Sequence, residues 1–193
     1  MRKKHSISNY IFENKTSELH FYYLLLFLLI LTKIVFLWNG ALLPDEAYYW
    51  LWSKNIDFSF YDHPPLSMWL QNLFSIVSSN KYFLIRVVPT VSFLLVIFLS
   101  FYWIKRAGLF TQKNDYIKFL LLLLSLPVMN VFLTISFPDP ILISMLLTSG
   151  FFFSLYLERQ KSSHLSQYFF WYISVAFFGL ALLSKYNAIL FGL

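Results

Sequence analysis

The chain has 193 residues, of which 59% are hydrophobic, 22% are aromatic and only 12% are charged. This composition excludes an ordinary soluble domain and predicts an integral membrane protein. The formal net charge is +6, but the basic residues are dispersed at the ends of hydrophobic runs, which argues against a nucleic-acid partner. The sequence has no cysteine, so it offers neither a disulfide nor a thiolate metal site.

Five apolar segments are each about as long as a helix that crosses a bilayer. They are Phe21 to Trp38, Leu84 to Ile104, Phe119 to Phe137, Ile141 to Leu157 and Tyr168 to Leu183. Because a helix satisfies its own backbone hydrogen bonds in lipid, we expect an all-α, polytopic membrane helix bundle with about five transmembrane helices. A polar stretch precedes the first segment and no small-residue cleavage site follows it, so we expect this segment to remain as an anchor.

The distribution of positive charge predicts a cytoplasmic N-terminus. In this orientation most basic residues lie inside, in accord with the positive-inside rule. The inner residues are Arg2, Lys3, Lys4, Lys15, Lys105, Arg106, Lys113, Lys118, Arg159 and Lys161, and the outer ones are Lys54, Lys81 and Arg86. Lys33 lies within the first apolar segment, and we expect its head group to extend to the interface.

The first outer loop, residues 39–83, has a pattern of its own. The segment Glu46 to Ser53 is dense in Tyr and Trp, and Pro65 to Ser78 repeats apolar residues at helical spacing. This pattern predicts one or two short interfacial helices. Pro64 and Pro65 are expected to start the second helix, since proline is tolerated in the first turn.

Asp45 and Glu46 are adjacent acidic residues that follow Pro44 at the start of this loop. In one interpretation Asp45 is a general base for an acceptor hydroxyl, and Glu46 orients it or binds a cation. In the other, the two carboxylates only stabilise the start of a helix. On a helix they point about 100° apart, so they need not share one site.

Asp62 and His63 precede the rigid pair Pro64-Pro65, which fixes the direction of both side chains. Asp62 is a candidate ligand for a metal or a sugar hydroxyl, and His63 is a candidate contact for a phosphate. The alternative is a loop in which Asp62 caps the next helix.

Asp139 lies between two prolines at the start of the fourth apolar segment, and Lys185 follows the fifth. Asp139 is either a helix cap or part of a site. Lys185 either extends to the interface or neutralises the phosphate of a departing lipid carrier. With the predicted topology, both residues and the first outer loop lie on the non-cytoplasmic side.

Four motifs together resemble the bacterial polyprenyl-phosphate-dependent glycosyltransferases of the GT-C class. The similarity is to the branch related to protein O-mannosyltransferases and lipid A aminoarabinose transferases. The motifs are Leu43-Pro44-Asp45-Glu46-Ala47-Tyr48-Tyr49-Trp50, Tyr61-Asp62-His63-Pro64-Pro65-Leu66, Phe137-Pro138-Asp139-Pro140 and Gly179-Leu180-Ala181-Leu182-Leu183-Ser184-Lys185.

The resemblance implies that a sugar passes from a polyprenyl phosphate carrier to a lipid, glycan or protein acceptor on the periplasmic side of a bacterial inner membrane, with inversion at the anomeric carbon. It places catalytic roles on Asp45 and Glu46. Substrate-binding roles fall on Asp62, His63, Asp139 and Lys185. A divalent metal at Glu46 and Asp62 is a candidate cofactor.

Two positions depart from the family pattern, and the length departs as well. His63 stands where the family often has lysine, and Tyr186-Asn187 stands where Gly-Pro often follows the later lysine. Family members generally have eleven or more spans. Residues 1–193 are therefore expected to be a single membrane domain, the N-terminal part of a partial GT-C fold, which is inactive alone or completed by a second polypeptide.

Two other classes of function compete with the enzyme. A non-catalytic membrane subunit or remnant is suggested by the sequence ending inside an apolar run. A transporter would use intramembrane acids to bind ions, but it predicts charges near the middle of the membrane, whereas the acids here cluster at one interface.

Overall fold

The computed structural model describes residues 2–76, 81–112, 114–132, 134–159 and 166–192. Side chains are described from residue 18 onward, except at 81–84, 128, 131, 132, 166 and 167. Some of the sequence predictions fall outside the described residues, namely the end of the segment Pro65 to Ser78, residue 133 of the segment Phe119 to Phe137, and the basic residues Lys113 and Lys161.

The described residues form helices and loops without any strand. The α-helices are α1 Arg2–Asn39, α2 Pro44–Ser53, α3 Leu66–Ser75, α4 Lys81–Arg106, α5 Asp115–Ser125, α6 Pro127–Phe132, α7 Pro138–Arg159 and α8 Ser166–Ser184, and a 3-10 helix Tyr186–Phe191 follows. The prediction of an all-α membrane bundle is confirmed.

Within the described ranges, three helices are long and apolar enough to cross a membrane. The spanning segments are Glu18–Asn39 of α1, Ile85–Arg106 of α4 and the whole of α7, each of 22 residues, while α8 contributes a shorter apolar stretch, Tyr168–Ser184. Only 6% of the spanning part of α1 is buried. Most of its apolar side chains therefore face the surroundings of the bundle, where lipid would lie, whereas Leu26 and Leu29 pack against the core.

The prediction of one continuous span from Phe119 to Phe137 is wrong. The structure has two short helices there, because α5 ends at Ser125 and α6 begins at Pro127. Between them Leu126 is extended, with φ −71° and ψ 116°. Proline has no backbone N–H and disfavours a helical conformation in the preceding residue, which explains the break at this point.

Two short helices, α2 and α3, follow the first span, as the loop pattern predicts. The helix α3 begins immediately after Pro65. Its Leu66 packs against Val88 of α4 and Ile141 of α7. The amide of Asn72 donates a hydrogen bond to the carbonyl oxygen of Ser53 (2.7 Å), which ties α3 to the end of α2. These contacts hold the loop against the ends of the spanning helices.

The helices α7 and α8 pack through small polar residues. The hydroxyl of Ser149 donates to the carbonyl oxygen of Ser174, and the hydroxyl of Ser174 donates to the carbonyl oxygen of Ser149, both at 2.9 Å. Small residues let membrane helices approach closely, and hydrogen bonds between such helices add stability. This packing fixes Lys185, which follows α8, relative to the start of α7.

The head group of Lys33 is buried rather than extended to the interface, so that prediction is wrong. Lys33 is only 8% exposed. Its Nζ donates to the hydroxyl of Thr134 and to the carbonyl oxygen of Asn130 (3.3 Å), and it lies 4.0 Å from the centre of the Phe93 ring. The break before α6 places these acceptors beside α1. Because the sequence pattern predicts a single straight span here, it does not reveal these partners of Lys33.

Candidate active site

The acidic pair at the start of α2 is divided between two environments. Asp45 is exposed and Glu46 is fully buried. Glu46 also accepts a hydrogen bond from the backbone N–H of Leu43 (3.1 Å). It therefore satisfies one of the free N–H groups at the helix start, as the second interpretation of this pair expects for an acidic residue. Within the described part of the chain, the side-chain carboxylate of Asp45 forms no hydrogen bond or ion pair.

Glu46 forms a buried ion pair with Arg86 of α4. Glu46 Oε1 accepts from Arg86 Nε (3.2 Å) and from the backbone N–H of Ser136 (3.1 Å), and Oε2 accepts from Arg86 Nη2 (3.0 Å). The guanidinium also donates to the carbonyl oxygens of Phe36 (2.8 Å) and Ala41 (2.9 Å). Because both carboxylate oxygens are engaged, this geometry favours a role for Glu46 in positioning the segments around it. Its predicted catalytic and metal-binding roles stay predictions.

Tyr49 of α2 is a buried tyrosine whose pKa is raised by its burial and by three of the predicted acids. It lies one helical turn after Asp45, so the two side chains are neighbours on α2. Its own side chain is 8% exposed. Burial, and then the negative charges of Asp62, Asp45 and Asp139, raise the pKa of Tyr49 to about 12. Three carboxylates from separate parts of the chain therefore contribute to the negative potential at this phenol.

Asp62 and His63 connect to this phenol through the imidazole ring. The hydroxyl of Tyr49 lies 3.0 Å from His63 Nε2, and His63 Nδ1 lies 3.3 Å from Asp62 Oδ1. The second contact is an ion pair only when the imidazole is protonated. Pro64 and Pro65 are buried and hold this stretch of backbone in place. The side chain of Asp62 is 46% exposed, so it remains open to a ligand.

Asp139 and Lys185 form an ion pair at the same end of the bundle. Lys185 Nζ lies 2.7 Å from Asp139 Oδ1, and both side chains are partly exposed. Asp139 lies in the first turn of α7, and Phe137, just before that turn, packs its ring edge against Tyr49 with 6.4 Å between the ring centres. The structure thus brings Asp139 and Lys185 together and places them beside the Tyr49 cluster.

The predicted metal ligands do not form a preassembled metal site. Glu46 is buried against Arg86, whereas Asp62 is exposed beside His63. Among the described residues, no group of three or more histidine and acidic side chains is arranged to hold a metal ion. A divalent metal therefore stays a prediction.

Two residues of this region were not identified as functional from sequence. Tyr49 was one aromatic residue among several, although its spacing of four residues from Asp45 gives a signal. The predicted topology gives Arg86 only the role of an outer charge, although it lies within an apolar segment. A buried cation needs a counter-charge, so its position pointed to an acidic partner without identifying which one.

These features define a polytopic helical membrane protein with a cluster of acidic, basic and aromatic side chains at one end of the bundle. Residues 62–193 match the family described as dolichyl-phosphate-mannose-protein mannosyltransferase, and the chain belongs to this family. It is a membrane glycosyltransferase of the GT-C type, which confirms the resemblance drawn from the four motifs. No curated protein and no solved structure matches the chain.

Only part of the candidate site lies within the range that matches the family. Asp62, His63, Asp139 and Lys185 lie inside residues 62–193, whereas Asp45 and the rest of α2 precede them. The geometry at Tyr49 therefore links the matched part of the chain to α2.

Proposed function

We propose that this protein transfers a sugar from a polyprenyl phosphate carrier to an acceptor on the non-cytoplasmic face of the membrane, the acceptor being a lipid, a glycan or a protein. The observation that carries the proposal is the cluster at Tyr49, whose hydroxyl lies 3.0 Å from His63 Nε2, with Asp62 beside that imidazole and Asp45 one helical turn before Tyr49 on α2. The Lys185 ammonium lies in the same cluster, bound to Asp139. A base and a cation are the two groups that this reaction needs.

In the proposed reaction Asp45 accepts the proton of an acceptor hydroxyl. The hydroxyl oxygen then attacks the anomeric carbon of the sugar, and the bond from that carbon to the phosphate oxygen breaks. The electron pair leaves with the polyprenyl phosphate, whose negative charge Lys185 stabilises. If the acceptor is itself a phosphate, Asp45 positions it and no proton transfer is needed.

Asp45 is suited to the role of base because it is exposed and unpaired among the described residues, whereas Glu46 beside it is engaged by Arg86. The partly exposed Asp62 would contact a sugar hydroxyl, and His63 would contact the donor phosphate. The aromatic side chains of α2 would provide apolar walls for the isoprenoid.

The test compares Asp45→Asn with Asp57→Asn in the full-length protein. Both residues are exposed acids of the same outer region. Sugar transfer is followed from a radiolabelled polyprenyl-phosphate sugar in proteoliposomes. Loss of a general base lowers the rate by about 10²-fold or more, so we expect such a loss in Asp45→Asn and little change in Asp57→Asn.

Two results would contradict this proposal. Equal rates of sugar transfer by the wild type and by Asp45→Asn would show that Asp45 is not the general base. A folded wild-type protein that transfers no sugar from any polyprenyl phosphate donor would instead favour the non-catalytic membrane subunit.

A further inference from the structure

A cavity between α1 and α6 is lined by the buried ammonium group of Lys33. Its volume is about 210 Å³, and it is lined by Thr32, Lys33, Phe36, Asn130 and Thr134. None of its lining residues belongs to the Tyr49 cluster, and the proposed sugar transfer does not use it. Lys33 is the only charged side chain among these lining residues.

The partners of the Lys33 ammonium are all neutral. Two of its three N–H groups are taken up by the carbonyl oxygen of Asn130 and the hydroxyl of Thr134. The Phe93 ring adds a cation–π contact at 4.0 Å. The described part of the chain gives Lys33 no carboxylate partner. A buried charge without a counter-charge is costly in a membrane protein, so an anion in the adjoining cavity would stabilise this ammonium.

The surroundings of the cavity favour an anion that carries a hydrocarbon chain. Thr32 and Phe36 also line a second cavity, of about 450 Å³, which runs along α1 past Leu31 and Val35. That face of α1 is mostly unburied and apolar. Lys33 lies six residues before Asn39, the last residue of α1, hence about 9 Å from the end of the helix. This depth is accessible to a lipid headgroup.

We propose that Lys33 and the α1–α6 cavity bind the phosphate headgroup of an anionic membrane lipid, whose hydrocarbon chain lies along Leu31 and Val35. The third N–H of the ammonium donates to a phosphate oxygen. The same chemistry could recognise a free phosphate ion, but the adjoining apolar groove favours the lipid.

The test uses the full-length protein in nanodiscs of phosphatidylcholine and phosphatidylglycerol. The protein is extracted into a neutral detergent, and retained lipid is counted by native mass spectrometry. We expect the wild type to retain phosphatidylglycerol in preference to phosphatidylcholine. Loss of a charge-assisted hydrogen bond lowers affinity by about tenfold or more. The amount of phosphatidylglycerol retained by Lys33→Met should therefore fall by at least this factor. The control Lys54→Met removes an exposed lysine that lies over Trp50, and it should retain the lipid.

A second variant keeps the test decisive if Lys33→Met does not fold. Thr32→Trp fills the cavity from the exposed side of α1 and leaves Lys33 in place, and it should also release the lipid. Retention equal to the wild type in the folded variants would overturn the proposal. Stabilisation of the protein by inorganic phosphate without any retained lipid would overturn the assignment of a lipid as the ligand.

Discussion

Glu46 and Arg86 form a buried ion pair where α1, α2, α4 and the turn before α7 meet. Their closest atoms, Oε2 and Nη2, are 3.0 Å apart, and their side chains are 0% and 2% exposed. Asp45 is the neighbour of Glu46 in the sequence. The backbone N–H of Ser136 donates to the Glu46 carboxylate, and Asp139 follows Ser136 by three residues. The pair therefore holds two of the candidate site carboxylates in their relative positions.

Replacement of Arg86 by methionine should destabilise the protein strongly. The variant leaves the Glu46 carboxylate buried without its cation, and breaking a buried pair in this way costs about 3–5 kcal/mol. The free energy of unfolding in mixed micelles, followed by circular dichroism, measures the effect. The double variant Glu46→Leu/Arg86→Met removes both charges and should recover part of the loss.

The pair Arg106 and Glu158 provides a matched control at the other end of the bundle. Their side chains are 38% and 50% exposed, and exposed pairs contribute little to stability because water and salt screen them. Arg106→Met should therefore change the free energy of unfolding only slightly. Equal effects of Arg86→Met and Arg106→Met would show that the Glu46–Arg86 pair is not a structural centre.

Gly40, which follows α1, should not tolerate alanine. A Cβ atom there would lie 2.5 Å from the carbonyl oxygen of Phe36 and 2.9 Å from Nη1 of Arg86. Such crowding costs about 1–3 kcal/mol, and it also displaces the guanidinium that holds Glu46. Thermal unfolding of Gly40→Ala in detergent checks this expectation.

Gly179 within α8 serves as the control for this substitution. A Cβ atom at Gly179 would meet nothing within 4 Å, and alanine is favoured over glycine inside a helix by about 0.5–1 kcal/mol. Gly179→Ala should therefore be neutral or stabilising. A Gly40→Ala variant as stable as Gly179→Ala would contradict the close approach of Gly40 to Arg86.

The local parts of the fold could be predicted from sequence, and the contacts between distant segments could not. Apolar length indicated the spans, and the pattern after Pro65 indicated α3. The break before Pro127 was missed because mean hydropathy does not register a proline inside an apolar run. The burial of Lys33 depends on that break, so both errors have one cause.

In the candidate site, too, the residues could be predicted from sequence, whereas the contacts between them could not. The acids are predictable because carboxylates at the edge of a membrane are held there by water, partners or function, and Lys185 because it belongs to one of the four motifs. Their arrangement around Tyr49 could not be derived, since the residues come from four separate segments of the chain. The different surroundings of Asp45 and Glu46 also required the structure, because helical geometry alone gives their angle and not what each side chain faces.

The raised pKa of Tyr49 predicts a loss of stability in alkaline solution. Its ordinary value is 10.0 and its value in the folded protein is about 12. The stabilisation is fully present below pH 10 and is lost as the pH rises from 10 to 12, because the unfolded chain releases this proton first. The difference in unfolding free energy between pH 9 and pH ~11.5 should be smaller in Tyr49→Phe than in the wild type.

Tyr61→Phe controls for the ionisation of the other tyrosines. Tyr61 is 96% exposed, and its removal should leave the alkaline loss of stability as large as in the wild type. The same alkaline loss in Tyr49→Phe would show that the phenol of Tyr49 is not held in its protonated form by burial and the neighbouring carboxylates.

The sidedness of the bundle can be tested because the chain has no cysteine of its own. Tyr61 lies between α2 and α3, and Leu109 lies in the connection between α4 and α5, and both are well exposed. The positive-inside rule places Leu109 in the cytoplasm and Tyr61 outside. In intact cells, a membrane-impermeant maleimide should label Tyr61→Cys, and it should label Leu109→Cys only after the cells are opened. Labelling of Leu109→Cys alone would reverse the topology and put the candidate site in the cytoplasm. Labelling of both variants in intact cells would mean that α4 does not cross the membrane.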